Sequence, residues 1–402
     1  MEGATVPSVA ARPPIIPSYL TDPMNPEPTE TSFSNYKIVA KRRESETIMS
    51  LELTPVCGSA IRPFIPGQFI VMRLPDPSGS GNLLRHYSIS SSCRLTHRFR
   101  ISVKREMPPP HLPDAPEGVG SSYLHNAEIG TVVSLHGPRG EFCLDRTSLR
   151  PVVLLSGGVG LTPVVSMLHE LASDTERPVF FVHACENGRV HALRDEVLAL
   201  ASSRSGIRIH FCYRVPTDAD EAAGAYDSKG LITKETLQAL LPLDDYDVYM
   251  CGPAGFMQAN YSLLRGLGIP KQRIHYEFFG PATVLATDDE RPSPAETTIP
   301  NTRPSPAPDP AQKDESAEVT VSFNGSAAPI PWPDGARSLL ELAESVGLEP
   351  PFSCRAGVCS TCTSRLLSGE IEYFEEPLTP PGPGEVLLCC SRPVTSLEIA
   401  FP

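Results

Sequence analysis

Cys354, Cys359 and Cys362 fall within nine residues, at a spacing of C-x4-C-x2-C. No regular helix or strand gathers three side chains at that interval, so one loop must wrap around whatever the thiols hold. The spacing, with a fourth cysteine farther on, is that of four thiolates around a [2Fe–2S] cluster. Gly357, between the first two cysteines, permits a turn that bulkier residues resist. Such a loop also aims backbone N–H groups at the sulfurs and offsets the cluster's negative charge. The fourth ligand must come from a distant segment, and the apolar stretch Val386-Leu387-Leu388-Cys389-Cys390 reads as a strand able to deliver it. Zinc is the competing ligand, although structural zinc sites usually pair two separate knuckles. Disulfides are the other alternative, and nothing else in the chain reads as secreted.

The formal net charge is −13 over 402 residues, which argues against a duplex nucleic-acid partner, since phosphate neutralisation needs basic patches. No apolar run reaches the length of a membrane span, so no membrane insertion is expected. The N-terminus carries no basic segment followed by an apolar core. Eleven cysteines in such a chain imply a reducing compartment, and the expected location is the cytoplasm. Cys57, Cys93, Cys143, Cys185, Cys212, Cys251 and Cys390 are expected to be buried free thiols.

Proline divides the chain. Residues 1–32 are proline-rich with little apolar periodicity and read as a disordered tail. Residues 283–315 carry alternating prolines and read as a semi-rigid tether. Three blocks remain, 33–149, 150–282 and 316–402. The first holds short strands punctuated by turns, at Tyr36–Ala40, Thr47–Leu53, Phe69–Leu74, Arg98–Lys104 and Thr131–Leu135, which predicts a small antiparallel barrel. The second alternates strands at Val152–Ser156, Val179–His183, Ile207–Tyr213 and Asp247–Cys251 with helical stretches, which predicts a parallel sheet covered by helices. The third opens with a hairpin, then a helix over Ser338–Glu344 with Leu339, Leu342 and Ala343 on one face, just before the cysteine loop.

Two further sites carry chemistry. Gly157-Gly158-Val159-Gly160-Leu161-Thr162-Pro163 leaves a strand and enters a helix. Glycines there let the backbone approach a pyrophosphate at the positive end of the helix, and Pro163 suits a first helical turn. Pro163 also stands where a dinucleotide fingerprint has its third glycine, and glycine turns join strands to helices without any ligand. Cys251-Gly252-Pro253 ends another strand on the same expected edge of the sheet, although a buried thiol explains Cys251 equally well. In the first block, Arg85-His86-Tyr87-Ser88 offers a cation, a flat ring and a hydroxyl near the end of the loop after Phe69–Leu74. Gly118-Val119-Gly120-Ser121-Ser122 is a second glycine–serine turn. Taken alone, Tyr87 is also simply an aromatic strand residue and Arg85 a surface charge.

The order of these strings resembles the ferredoxin–NADP reductase superfamily, in particular the reductase half of flavohaemoglobins, over residues 33–282. The matching strings are Arg85–Ser88, Gly118–Ser121, Gly137–Phe142, Gly157–Pro163, Tyr249–Met257 and His275–Pro281. Residues 316–402 resemble plant-type ferredoxins, and the flavin–nicotinamide–ferredoxin order resembles phthalate dioxygenase reductase and hybrid-cluster-protein reductase. No globin-like segment is read before the barrel. The resemblance implies an antiparallel β-barrel for FAD, an α/β parallel sheet for NAD and a β-grasp α+β ferredoxin domain. By the same resemblance Arg85 holds the flavin phosphates, Tyr87 packs on the isoalloxazine, Ser88 bonds near N5, and His86 and Lys104 are further cofactor-binding residues. Gly118, Ser121 and Ser122 take the pyrophosphate and Phe279 covers the other flavin face. Glu277 is a carboxylate near the flavin and a candidate proton relay. Thr162 and Cys251 flank the nicotinamide and, with Ser88 and Glu277, are the catalytic candidates; Gly157, Gly158, Gly160, Gly252 and Pro253 bind the cofactor, and Tyr213, Arg214 and His183–Asn187 lie at the adenosine half. In ferredoxins of this type the last ligand lies four residues before a proline, so Pro393 selects Cys389 over Cys390, beside Cys354, Cys359 and Cys362.

NAD(P)H delivers two electrons together, a [2Fe–2S] cluster takes one at a time, and a flavin converts between the two. The expected function is therefore transfer of electrons from NADH, or NADPH, through FAD and the cluster to a redox protein acceptor such as an oxygenase or other metalloenzyme. A diaphorase or ferric reductase acting on small acceptors, and a redox-sensing binding protein, are the alternatives. Glu186 precedes the first cation after its strand, Arg189, which favours NADH. Glu370, Glu372, Glu375 and Glu376 form an acidic face, either a dock for a basic acceptor or a solvated surface.

Overall fold

In the computed structural model, the described residues are 33–75, 82–108, 117–174, 176–279 and 319–401, without 325–327, 334–335, 337, 349, 353–356, 358–359, 376 and 378. Residues 1–32, the proline tether, Cys354 and Cys359 lie outside them.

The first block forms β1 (Ser34–Arg43), β2 (Ile48–Pro55), β3 (Phe69–Pro75), β4 (Asn82–Ser88), β5 (Phe99–Lys104), helix α1 (Val119–Asn126) and β6 (Val132–Arg139). The strands make one antiparallel sheet in the order β4-β3-β6-β1-β2-β5, and an Ile89–Ile101 bridge joins its two ends. Alternating apolar residues explain the curl: Ile38, Leu51, Leu53, Ile70, Met72, Phe99 and Ile101 fill the interior. Arg85–Ser88 lies on strand β4, not in a loop as the sequence suggests. It pairs with β3 residue by residue, from Phe69 opposite Ser88 to Pro75 opposite Asn82.

The second block forms β7 (Val152–Gly157), α2 (Leu161–Asp174), β8 (Val179–Cys185), α3 (Arg194–Ser202), β9 (Ile207–Tyr213), α4 (Asp218–Ala223), β10 (Ser228–Lys229), α5 (Lys234–Leu240), β11 (Asp247–Gly252), α6 (Ala254–Gly266) and β12 (Ile274–Phe278). All six strands are parallel, in the order β10-β9-β8-β7-β11-β12. β7 and β11 are buried along their whole length because helices cover both faces.

The seam between these blocks is fixed by charge and by packing. Arg177, buried, pairs with Asp247 at 3.0 Å and donates to the carbonyls of Asp145 and Arg150 in the connecting segment. Arg100 on β5 grips Glu196 on α3 at 2.6 and 2.7 Å, and His169 on α2 adds a third bond at 2.7 Å. Burial opposes ionisation of Glu196, but the hydrogen bonds from His169 and Arg100 bring its carboxyl down to about 2.

The third block forms β13 (Thr320–Phe323), β14 (Ile330–Pro331), α7 (Leu339–Ser345), β15 (Thr363–Ser368), β16 (Ile371–Tyr373), β17 (Glu385–Leu387), β18 (Ser391–Pro393) and β19 (Leu397–Ala400). Its main sheet runs β14-β13-β19-β15-β17, with α7 packed across it. Ser338 caps α7 by accepting from the Glu341 N–H, and Leu339, Leu340, Leu342 and Ala343 are buried. The expected strand through Cys389 ends early: β17 stops at Leu387 and Leu388–Cys390 is a 3-10 turn. Cys57 is exposed and Cys93, Cys143 and Cys185 are half-buried, so the expectation of buried thiols holds in full only for Cys212, Cys251 and Cys390. Among the described residues no helix is long and apolar enough to cross a membrane.

Candidate functional site

Strand alternation on β4 sets the barrel end of the site. Arg85 and Tyr87 point to one face, where a Cβ on Gly120 would stand 3.0 Å from the Arg85 side chain and 3.4 Å from the Tyr87 hydroxyl. The R-x-Y-S strand and the glycine–serine turn therefore meet, and a side chain at Gly120 would have to push these neighbours aside by a few tenths of an ångström. That turn is the start of α1, with Gly118 at its N-cap position. Its Ser121 hydroxyl donates to the Gly118 carbonyl at 2.9 Å and accepts from the Glu106 N–H at 3.1 Å, while Ser122 donates to Glu117 at 2.7 Å. These hydroxyls brace the turn, and the helix-start N–H groups are the donors left to meet a phosphate. Lys104 reaches Glu106 at 3.0 Å beside the same turn. His86 faces the other way, its ring centroid 5.1 Å from that of Phe69. Burial raises the Tyr87 phenol well above its usual value, so the ring is neutral. Ser88 is buried, and its hydroxyl has no hydrogen-bond partner among the described residues. Such an atom calls for a polar ligand group.

The glycine loop and the end of β11 are in backbone contact. A Cβ on Gly160 would overlap the Cys251 carbonyl, and one on Gly252 would reach Gly157 at 3.2 Å. The Phe256 ring closes over both Gly157 and Gly252. Gly158 takes φ +56°, a left-handed turn that opens the 3-10 segment before α2. Thr162 is buried and donates to the Val159 carbonyl at 3.1 Å, and Pro253 caps α6. Two helices thus start where β7 and β11 end, on the carboxyl edge that binds ligands in parallel sheets.

Cys251 and Glu277 sit opposite each other on β11 and β12. Burial, then the Glu277 charge, pushes the Cys251 thiol well above its usual range, so it is no thiolate nucleophile. Glu277 Oε2 is sealed from solvent without a hydrogen-bond partner among the described residues, and burial lifts its carboxyl to about 8. Phe279, just beyond β12, is 39% exposed.

The structure separates the residues expected at the adenosine half. Tyr213 and His183 are buried, which removes Tyr213 as a stacking surface. The Tyr213 hydroxyl bonds His191 at 2.8 Å, and His191 lies 4.7 Å, ring to ring, from His183, which bonds Ser156 at 2.9 Å. Burial drives His183 down to about 4 and His191 well below its ordinary value. Glu186 and Arg214 are the accessible pair, 3.0 Å apart. Arg189 is tied to Glu46 of the barrel at 2.6 Å. Glu106, Phe256, His191 and Ser156 take no role from the sequence alone because each acts through a tertiary neighbour.

At the iron–sulfur loop, the Gly357 N–H donates to the Cys389 sulfur at 3.3 Å. Cys390 turns its thiol to the Leu387 carbonyl at 3.8 Å. Cys362 and Cys389 are both buried beside this turn. The buried sulfurs, the amide aimed at one of them and the left-handed Gly357 (φ +64°) suit a thiolate-held cluster.

The oxidoreductase FAD-binding domain family matches residues 36–143, the oxidoreductase NAD-binding domain family residues 154–261, and the 2Fe-2S iron-sulfur cluster binding domain family residues 321–394. Curated relatives include a flavohemoprotein of Bacillus cereus, 39% identical over 255 residues, and one of Bordetella pertussis, 41% identical over 253. These alignments cover 63% and 62% of this chain and 62% and 61% of the relatives, so the chain spans less than two thirds of their length. The flavohem-like FAD/NAD-binding domain of a Vibrio cholerae nitric oxide dioxygenase is 34% identical, with a TM-score of 0.55, over 62% of this chain and 99% of that one. Phthalate dioxygenase reductase is 25% identical, with a TM-score of 0.50, over 93% of this chain and 99% of that one.

The chain belongs to the FAD- and NAD-binding oxidoreductases of the ferredoxin–NADP reductase type, extended by a [2Fe–2S] ferredoxin domain. Its cofactors are FAD, a nicotinamide dinucleotide and a [2Fe–2S] cluster.

Proposed function

We propose that this chain is the reductase component of an electron-transfer system, carrying electrons from NADH through FAD and a [2Fe–2S] cluster to a protein acceptor such as an oxygenase. When bound, NADH yields NAD⁺, a proton and two electrons, and the flavin releases those electrons singly to the cluster. The observation that carries the reading is the contact between the Gly157–Gly160 loop and the Cys251–Gly252 strand end, with Ser88 and Glu277 each offering an unsatisfied buried polar atom. Phthalate dioxygenase reductase, described as a modular structure for electron transfer from pyridine nucleotides to [2Fe-2S], supports the same order of modules.

In this reading Arg85 and the start of α1 hold the flavin phosphates, Tyr87 and Phe279 flank its ring, and Ser88 bonds its polar edge. Gly157, Gly158, Gly160, Gly252 and Pro253 let the dinucleotide approach the backbone, and Thr162 and Cys251 flank the nicotinamide. Glu277, protonated at neutral pH, holds a proton beside the site. Cys354, Cys359, Cys362 and Cys389 hold the cluster. The cytoplasm is the proposed location.

The test is truncation after Pro281. The shortened chain should keep NADH-driven ferricyanide reduction and lose most cytochrome c reduction. If cytochrome c reduction survives at the full-length rate, the iron–sulfur domain is not the exit port. If NADH oxidation stops after one equivalent with every acceptor, a redox sensor replaces the reductase.

A further inference from the structure

An ion pair joins the iron–sulfur domain to the flavin barrel. Arg139 Nε lies 2.6 Å from Glu375 Oε1, and the Arg139 side chain is only 7% exposed. Both residues occupy informative places. Arg139 ends β6 and stands opposite Phe69 on β3, which in turn stands opposite Ser88 on β4. Arg139 and Ser88 are therefore in one row across three strands, with backbones roughly 10 Å apart at two strand spacings. Across the pair, Glu375 lies between a residue bonded to the Leu388–Cys390 turn and one packed on the cysteine loop. Its neighbour Phe374 donates its N–H to the Cys390 carbonyl at 3.2 Å, and Pro377 packs where a Cβ on Gly357 would meet it at 3.4 Å. The pair thus ties the row that carries Ser88 to the place where the Gly357 loop meets the Cys389 turn.

We propose that Arg139–Glu375 is an internal dock that seats the iron–sulfur domain against the flavin edge of the barrel, so that flavin-to-cluster transfer depends on it and NADH-to-flavin transfer does not. The transfer half of this proposal rests on the reductase reading above; the docking half does not. The surrounding charge agrees with it. Residues 316–402 hold four basic and eleven acidic side chains, so the domain approaches any cation on the barrel under net attraction. A buried arginine paired with a half-buried carboxylate of the other domain fixes the register of the two surfaces, because opposite charges meet in only one seating. The same acidic loop then serves two ends: Glu375 faces the barrel, while Glu370 and Glu372 stay exposed beside it.

The experiment uses the full-length holoprotein with Arg139→Gln, Glu375→Gln and the exchanged pair Arg139→Glu with Glu375→Arg. Small-angle scattering reads domain seating, and stopped-flow absorbance with NADH reads flavin and cluster bleaching separately. Each single variant should enlarge the radius of gyration and slow cluster bleaching about tenfold, with flavin bleaching unchanged. The exchanged pair should recover both. Glu375→Gln, at the domain surface, decides the matter if Arg139→Gln folds poorly. Unchanged scattering and cluster rates in Glu375→Gln overturn the dock. A wild-type protein whose cluster NADH never bleaches sinks the reductase reading instead, and the scattering comparison still decides the dock.

Discussion

Gly357 donates its backbone N–H to the sulfur of Cys389, and the adjacent Cys390 turns its thiol to the Leu387 carbonyl. Leu388–Cys390 is a 3-10 turn, so strand alternation does not distinguish the two cysteines. The hydrogen bonds do, because an N–H aimed at sulfur stabilises a thiolate. Cys389→Ser should bleach the [2Fe–2S] absorption and EPR signals, and Cys390→Ser should leave most of both. The opposite ranking would move the ligand by one position.

Glu277 and His183 should give stability opposite pH dependences. The folded-state value of Glu277 is raised from 4.5 to about 8, so its contribution is fully present below about 4.5 and is lost as pH rises towards 8. His183 falls from 6.5 to about 4, so its contribution is present above 6.5 and is lost as pH drops towards 4. Each group changes stability by about 1.4 kcal/mol per pH unit inside its window. Thermal melts should show Glu277→Gln gaining on the wild type steadily between about pH 5 and pH 8. A constant difference across that range would mean that Glu277 ionises normally.

Arg177 carries the seam between barrel and sheet. Its side chain is almost fully buried against Asp247 and spans two carbonyls of the connecting segment. Arg177→Ala takes the buried cation from Asp247, which keeps only the Ser148 hydroxyl and Arg273 at 3.5 Å, and should cost about 1.5–3 kcal/mol in chemical denaturation. A loss below about 1 kcal/mol, the range of surface pairs, would show that Ser148 and Arg273 suffice for Asp247.

Coenzyme choice should rest on Glu186. It is the accessible acid after β8 and is paired with Arg214, while Arg189 is engaged by Glu46. An acid at this place accepts a ribose hydroxyl and repels a 2′-phosphate. The wild type should show the higher kcat/KM with NADH, and Glu186→Gln, by releasing Arg214, should raise kcat/KM for NADPH. Preference for NADPH in the wild type would refute the assignment.

Electron exit should be salt-sensitive. Glu370 and Glu372 are exposed beside the iron–sulfur turn, so cytochrome c, a basic acceptor, should be reduced more slowly as ionic strength rises. Ferricyanide reduction by the chain truncated after Pro281 should not share that decline. Equal declines would place the salt effect upstream of the iron–sulfur domain.

The sequence alone determined the order of the three blocks, the antiparallel and parallel sheets of the first two and most of their strand positions, because periodicity and glycine placement are local properties. Ile207–Tyr213 is a strand at the predicted bounds, and Ser338 caps the predicted helix. The glycine loop was legible for the same reason, since its glycines stand directly after an apolar strand, whereas Arg85–Ser88 is recognisable as a string but reads as loop rather than as part of β4. Tertiary structure decided what each side chain faces. It buried Tyr213 against His191 rather than exposing it to a ligand, turned His86 onto Phe69, and tied Glu375 to Arg139, 236 positions away. It also left Ser88 and Glu277 with unsatisfied atoms. Burial, desolvation and long-range ion pairing depend on which distant segments meet, and no local pattern records that.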